Sequence, residues 1–274
     1  MLELHCHTTY SDGRSTPQEL VAEAAAAGVK ALAITDHDTL GAWEEAIHAA
    51  SNHNIEIVSG VELSTVYNGR SLHILGYYPQ RELLEQPIKE RLAGRKRRAA
   101  KMVENLKKMG YELDLPQLEG NMAIGRPHIA GAMVKAGYVQ STQEAFARFI
   151  GEDKLAYVHY EKFSTADGIK LIKACKGVPV WAHPYLFRGG KVEEVLPQLV
   201  DAGLMGIEVY HPNCSNTQQQ KLLEYCQQYN LLPTGGTDYH GSIRDKSNKM
   251  RTQLNHFQLP LTMLDAIKEK AGVI

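Results

Sequence analysis

His5 and His7 flank Cys6 near the start of the chain, and Asp12 follows within the same run, LELHCHTTYSDG. Neutral imidazole is a common ligand for divalent metals, and carboxylate often accompanies it at hydrolytic ions. Two histidines this close can also be ordinary side chains, so the pair has to be weighed against the rest of the sequence. Asp36 and His37 stand in ITDHD, Glu62 in GVELS, His183 in AHP, His211 in EVYHP, and Asp238 and His240 in GGTDYH. Each of these follows directly on an apolar run. Scattered histidines would not keep to the ends of apolar runs, so the pattern points to one shared site.

The elements that must position them follow from patterning. Short apolar strands are expected at Leu2–His5, Ala31–Thr35, Ile57–Val61, Val178–Ala182, Gly206–Tyr210 and Leu232–Gly235. Helices are expected to alternate with them, beginning with a capping box at Thr16–Glu19 that has Pro17 at the first helical position. Alternation of this kind predicts an α/β fold with parallel strands, whose C-terminal ends gather on one side and carry the chemistry. One interruption is expected. Asn68-Gly69 favours a two-residue hairpin turn, pairing Tyr67 with Arg70, Ser64 with His73 and Glu62 with Leu75. Glu62 and His73 are then diagonal neighbours on one face, roughly 7–8 Å apart at the backbone.

Imidazoles and carboxylates without thiolates suit Zn, Mn or Fe. The ligands exceed one ion's needs. Three groups would serve three ions: His5, His7, Glu62 and Asp238; Glu62, His73 and His183; and Asp12, His37 and His240. A bridging Glu62 would hold two ions at the ~3.5–4 Å spacing of two-metal hydrolases.

Residues 84–157 break the alternation. They read as a helical insertion between barrel segments 1–83 and 158–274. Its basic run, from Lys89 through Arg95, Lys96, Arg97 and Arg98 to Lys108, reads as a solvated helix face. The 274 residues carry a formal net charge of −1, so whole-chain charge names no partner. No apolar stretch approaches the ~18–20 residues of a membrane span. The four cysteines form no Cys-x-x-Cys pair, and a reduced, cytoplasmic protein is the expectation. Cys6, Trp43 and Trp181 read as core, and His48, His53, His159 and His256 as ordinary residues.

The motifs LHCHTTYSDG, ITDHD, GVELS, HILGY, AHP and TDYH, in this order over nearly the whole chain, resemble the PHP (polymerase and histidinol phosphatase) family. The resemblance implies a distorted (β/α)7 barrel with a helical insertion subdomain. It implies phosphoesterase activity at two to three divalent ions, Mn²⁺ first, with Zn²⁺ or Fe²⁺ as alternatives. The implied ligands are His5, His7, Asp12, His37, Glu62, His73, His183, Asp238 and His240, and Glu62, Asp238, His183 and His240 are the catalytic candidates. The stretch GRPHIAGAMVKAGYV (125–139) is similar to the branch that removes the 3′-phosphate of 3′,5′-bisphosphonucleotides such as pAp, or degrades short 5′-phosphorylated RNA from its 5′ end. Arg126 and His128 are then candidate phosphate contacts, since guanidinium presents a planar fork of donors. His211, Lys154 and Arg148 join them, with Lys162 and Arg188 weaker. Asp12 stands where histidinol phosphatases usually carry His, which weakens that substrate but keeps a histidinol-phosphate-type or other small-molecule phosphatase as the alternative. A zinc amidohydrolase and an RNA-binding module without turnover are the rival classes. The expected partner is a small nucleotide or short RNA, with no obligate protein partner.

Overall fold

Asn68 and Gly69 both adopt positive φ (49° and 73°), as a two-residue hairpin turn of this type requires. The turn joins β3 (Glu56–Tyr67) to β4 (Arg70–Tyr77) with Tyr67 opposite Arg70, Ser64 opposite His73 and Glu62 opposite Leu75, the expected register. The computed structural model describes residues 1–115, 122–242 and 253–274. Residues 116–121 of the expected insertion lie outside the described residues.

The seven strands lie in chain order, β1 (Leu2–Glu3), β2 (Ala31–Ile34), β3, β4, β5 (Val178–Trp181), β6 (Gly206–Tyr210) and β7 (Leu232–Gly235). β4 runs antiparallel to both neighbours, and every other pairing is parallel. The start of β4 therefore lies beside the ends of the others, which brings His73 to the open end. The sheet curls until the segment after β7 meets the segment after β1. Tyr239 N–H donates to His5 O (3.0 Å), and His7 N–H donates to Tyr239 O (2.8 Å). A Cβ on Gly236 would stand 2.5 Å from that of His5, so this seam closes only over glycine. The result is a nearly closed α/β barrel of the expected class.

The expected strand at 57–61 and the first arm of the hairpin are one strand. β3 runs unbroken past the end of β2, and Glu62 sits mid-strand beside His37 rather than at a strand end. The antiparallel partner β4 supports the extra length.

Alternation sorts side chains into two cores. Leu32, Ile34, Val61, Leu63, Ile74, Trp181, Ile207 and Val209 pack outward against helices that include α1 (Pro17–Ala26), α2 (Trp43–Ala50), α6 (Thr165–Ala174), α7 (Val192–Ala202) and α8 (Asn216–Tyr229). Val58, Leu75, Tyr77, Val178 and Val180 pack on the other face with Leu264 and Ile267 of the closing helix (Thr262–Ala271). The inner face that carries Val58 and Leu75 carries Glu62 and His73 further up. The capping box on α1 forms as expected, with Glu19 N–H donating to Thr16 Oγ1 (3.2 Å) and Thr16 N–H donating to Glu19 Oε2 (2.8 Å).

The 28-residue helix α3 (Arg81–Lys108) leaves from the closed end of the barrel and climbs its side. Leu84 and Ile88 belong to the barrel's outer core, whereas Ala99, Met102 and Leu106 belong to a third core. That third core also holds Ile129 and Met133 of α4 (Arg126–Lys135) and Ala145 of α5 (Thr142–Ala145). It continues through Phe149 and Ile150 of the π-helical turn at Phe146–Ile150. The solvated-face reading of the basic run needs correction at two residues: Arg95 and Arg98 are buried, at 5% and 6% exposure. They fall on the same helical stripe as Leu84, Ile88, Leu92, Ala99 and Met102.

Candidate metal centre

The open end of the barrel gathers every strand-end residue singled out in the sequence. Glu62, 1% exposed, stands at the hub. Its Oε1 lies 2.8 Å from His73 Nδ1 and 3.0 Å from His183 Nε2. Its Oε2 lies 3.0 Å from His37 Nδ1, 3.2 Å from His7 Nε2 and 3.4 Å from His5 Nε2. Asp238 Oδ1 approaches His5 Nε2 (3.3 Å) and His7 Nε2 (3.2 Å). Asp12 Oδ1 lies 3.2 Å from His240 Nε2, and Asp12 Oδ2 lies 3.8 Å from His37 Nε2.

Among the described residues, three sets bring their ligand atoms within 4.8 Å of one another: His5, His7, Glu62 and Asp238; His7, Asp12, His37 and His240; and His37, Glu62 and His73. The first matches the expected grouping. In the second, His7 joins the expected Asp12, His37 and His240. In the third, His37 takes the place expected for His183, which keeps its own contact with Glu62. His183 and Asp238 sit at positive φ (35° and 50°), as does Asp38 (48°). Such backbone is uncommon outside glycine and collects at functional sites.

Burial would raise the Glu62 carboxyl, but the imidazoles of His37, His73 and His5 hold it well below its ordinary range. Asp12 and Asp238 are held down in the same way, mainly by His240 and His5. Burial disfavours a charged His7, yet Asp238 and Glu62 push it up to about 10. Burial, reinforced by Arg95 and His7, leaves His37 well below its usual value despite Glu62 and Asp12.

A further layer of polar groups supports the cluster. Asp36 accepts from Thr8 N–H (2.7 Å), Thr8 Oγ1 (2.7 Å) and Ser11 Oγ (2.5 Å), and Ser11 Oγ lies 3.2 Å from His7 Nδ1. Glu208, buried in β6, lies 2.8 Å from His5 Nδ1. The sequence reading missed Glu208. Its signal was a lone carboxylate inside the apolar strand GIEVY.

The donor set fits divalent cations. His5 Nε2, His7 Nε2, His37 Nδ1 and Asp12 Oδ1 are buried without a hydrogen-bond partner. An unsatisfied buried polar atom costs about 1–3 kcal/mol. Here several face one another across a few ångströms, where a cation would satisfy them together.

The expected phosphate contacts divide. Arg126 and Lys154 line a cavity of about 820 Å³ that opens beside His73 and His183 and includes Phe146, Phe187 and Arg188. Arg126 stands 5.4 Å over the Phe146 ring and 5.6 Å over that of Tyr157. Arg98, not singled out for this role in the sequence, lies 3.8 Å over Tyr160, with Nη2 buried and unpartnered. His211 lies inside the cluster rather than apart from it, with Nε2 3.7 Å from Asp238 Oδ2. His128 does different work. Gly125 N–H donates to its Nδ1 (3.0 Å) at the start of α4, and nearby Ala123 N–H donates to Tyr10 O (2.6 Å), which ties the insertion to the Asp12 loop. Arg148 pairs with Glu144 on an exposed face and is not part of the cavity wall.

Fold and site together define a metal-dependent phosphoesterase of the α/β-barrel type, and comparison with known proteins agrees. The PHP domain model matches residues 3–149, and the chain belongs to the PHP family. It is 34% identical over 247 residues to the 5′-3′ exoribonuclease of Haemophilus influenzae, covering 87% of this chain and 89% of that protein. It is 30% identical to the 3′,5′-nucleoside bisphosphate phosphatase of Chromobacterium violaceum, with 87% of each chain covered. A presumed metal-dependent phosphoesterase from Bifidobacterium adolescentis superposes with a TM-score of 0.85 at 30% identity, covering 98% of this chain and 96% of the other.

Proposed function

We propose that this protein hydrolyses phosphate esters of small nucleotides at two to three divalent ions, removing the 3′-phosphate of 3′,5′-bisphosphonucleotides such as pAp or trimming short 5′-phosphorylated RNA. The observation that carries this reading is the sharing of ligands: His7, His37 and Glu62 each belong to two of the three ligand groups, which open beside a cationic cavity.

His5, His7, Glu62 and Asp238 would hold one ion, Glu62, His73 and His183 a second, and Asp12, His37 and His240 a third; His7 and His37 each lie near two groups, but a neutral imidazole has one lone pair and would serve one ion. Bound divalent ions supply charge for phosphoryl oxygens and lower the pKa of water toward neutrality. Mn²⁺ is the first candidate, since hard carboxylates share each group with imidazole. Glu62 and Asp238 keep the site anionic enough to hold several cations close together. His183 and His240, at the rim of the cluster, face the space where a phosphoryl group would enter.

On the cavity side, Arg126 and Lys154 would bind a second phosphate away from the ions, with Arg98 behind them. Guanidinium suits a terminal phosphate because it donates in a planar fork. The Phe146 and Phe187 rings of the same cavity offer apolar faces to a base or ribose.

The test is a turnover screen of pAp, 3′-AMP, histidinol phosphate and a short 5′-phosphorylated RNA with Mn²⁺, Zn²⁺ or Mg²⁺. Release of phosphate from pAp or of mononucleotide from the RNA is the expected result. Binding of RNA without product under all three metals would overturn the enzymatic reading.

A further inference from the structure

Glu208 stands outside all three ligand groups, yet it is 0% exposed in the middle of β6. A carboxylate this deep needs full compensation. Both oxygens have it. Oε1 lies 2.8 Å from His5 Nδ1, and Oε2 accepts the backbone N–H of His183 at 2.7 Å. The two partners are far apart in the sequence and follow different strands, β1 and β5.

We propose that Glu208 is a positioning residue that fixes two metal-ligand residues at once, the ring of His5 and the backbone of His183. For His5, donation of Nδ1–H to Glu208 leaves Nε2 bare. Nε2 is the atom that faces Glu62 Oε2 (3.4 Å) and Asp238 Oδ1 (3.3 Å). For His183, the bond holds a left-handed residue, φ 35°, which aims Nε2 at Glu62 Oε1 (3.0 Å). The two oxygens of one carboxylate thus set the placement of two imidazoles that converge on the two oxygens of another.

The geometry specifies the residue type. Glutamine can accept from only one of these two donors, because its amide nitrogen would face an N–H. Aspartate keeps both acceptors but is one methylene too short to reach from the same backbone. Carboxylates that orient metal-bound histidines commonly contribute 10–100-fold in metal affinity or activity.

This role rests on the reading that His5 and His183 hold ions, so the test measures ion binding directly. Mn²⁺ affinity and stoichiometry are measured by chelator competition for wild type, Glu208→Gln and Glu208→Asp, alongside melting of each metal-free protein. Glu208→Gln is expected to bind Mn²⁺ about 10–100-fold more weakly, with its metal-free melting temperature lowered by only several degrees, the cost of one unmade buried hydrogen bond. Metal-induced stabilisation shrinks accordingly. If Glu208→Gln does not fold, Glu208→Asp carries the test, with weakened Mn²⁺ binding again expected. A folded variant that binds Mn²⁺ like wild type would overturn the role of Glu208 and leave the metal reading standing. A wild type that binds no ion would overturn both.

Discussion

The barrel's open end and the insertion above it both bury charge, but they compensate it differently. At the open end, Asp12, Glu62 and Asp238 each face several imidazoles, and Glu62 alone faces five. In the insertion helix α3, burial is local. Arg95 donates to Asp38 Oδ2 (2.9 Å) and Ser64 Oγ (2.7 Å), and Arg98 Nε donates to Val158 O (2.6 Å). Other cations of that helix, among them Lys89, Arg97, Lys101, Lys107 and Lys108, pair with glutamates on the surface. Shared residues tie the three groups of the barrel site to one another. Separate contacts make the insertion adjustable, one residue at a time.

The largest effect should come from the hub. Glu62→Gln should lose more than the ~10²–10³-fold that one charge-stabilising group typically contributes, and more than one ion per chain. Elemental analysis alongside turnover checks this, and full metal content would break the claim that ligands are shared.

Arg95 is where the two regions meet, since Asp38 follows His37 and Ser64 pairs with His73. Breaking a buried ion pair by removing one partner costs about 3–5 kcal/mol. Arg95→Met should destabilise by that order in a denaturant titration. A cost below about 1 kcal/mol, the range of an exposed pair, would mean that the insertion is only loosely tied to the site.

Arg126→Ala should lose about ten- to a hundred-fold in kcat/KM on pAp, the equivalent of one charge-assisted contact of roughly 1.5–3 kcal/mol. On 3′-AMP, which lacks the second phosphate, the loss should be much smaller. Equal loss on both substrates would place Arg126 at the reacting phosphate instead.

A smaller effect concerns pH. With His7 raised from its ordinary value to about 10 by Asp238 and Glu62, against the opposing effect of burial, its ion pairs stabilise metal-free protein fully below about pH 6.5. They are lost as pH rises through about 10. Metal-free protein should therefore melt a few degrees lower at pH 9 than at pH 7. Metal displaces those same protons, so Mn²⁺ affinity should rise over this interval. Calorimetric titration in buffers of different ionisation enthalpy would register the released protons, and an affinity independent of pH would contradict the coupling.

The smallest effect expected is for Arg148→Ala. Arg148 pairs with Glu144 at the surface, and exposed pairs contribute about 0–1 kcal/mol. Activity on pAp should stay within about twofold.

Much of this was legible because chemistry and strand ends coincide in the chain. Asn68-Gly69 set a register that placed Glu62 and His73 on one face, and the register formed as expected. Glu208 was hidden because a single carboxylate in GIEVY leaves the strand looking apolar. Only the third dimension reveals that His5 lies beside it. The basic run masked its own periodicity. Leu84, Ile88, Leu92, Arg95, Arg98, Ala99, Met102 and Leu106 form one buried stripe, so two arginines amid many surface cations were on the inner side. His128 and Arg148 could not be assigned from type alone, because each spends its polar atoms on nearby partners.

The reversed direction of β4 has a consequence for how such an enzyme can change. Because that strand ends at the closed end, the insertion starts far from the chemistry and is lifted to it by α3. At 1.5 Å per residue, its 28 residues rise about 42 Å. The helix acts as a mast, with its lower turns seated on the barrel and its upper turns bearing the third core of the insertion. Adding or removing whole turns above Arg95 would raise or lower that core over an unaltered metal centre. The height of the insertion is then free to change with helix length, while the clustered imidazoles and carboxylates stay fixed on the barrel strands.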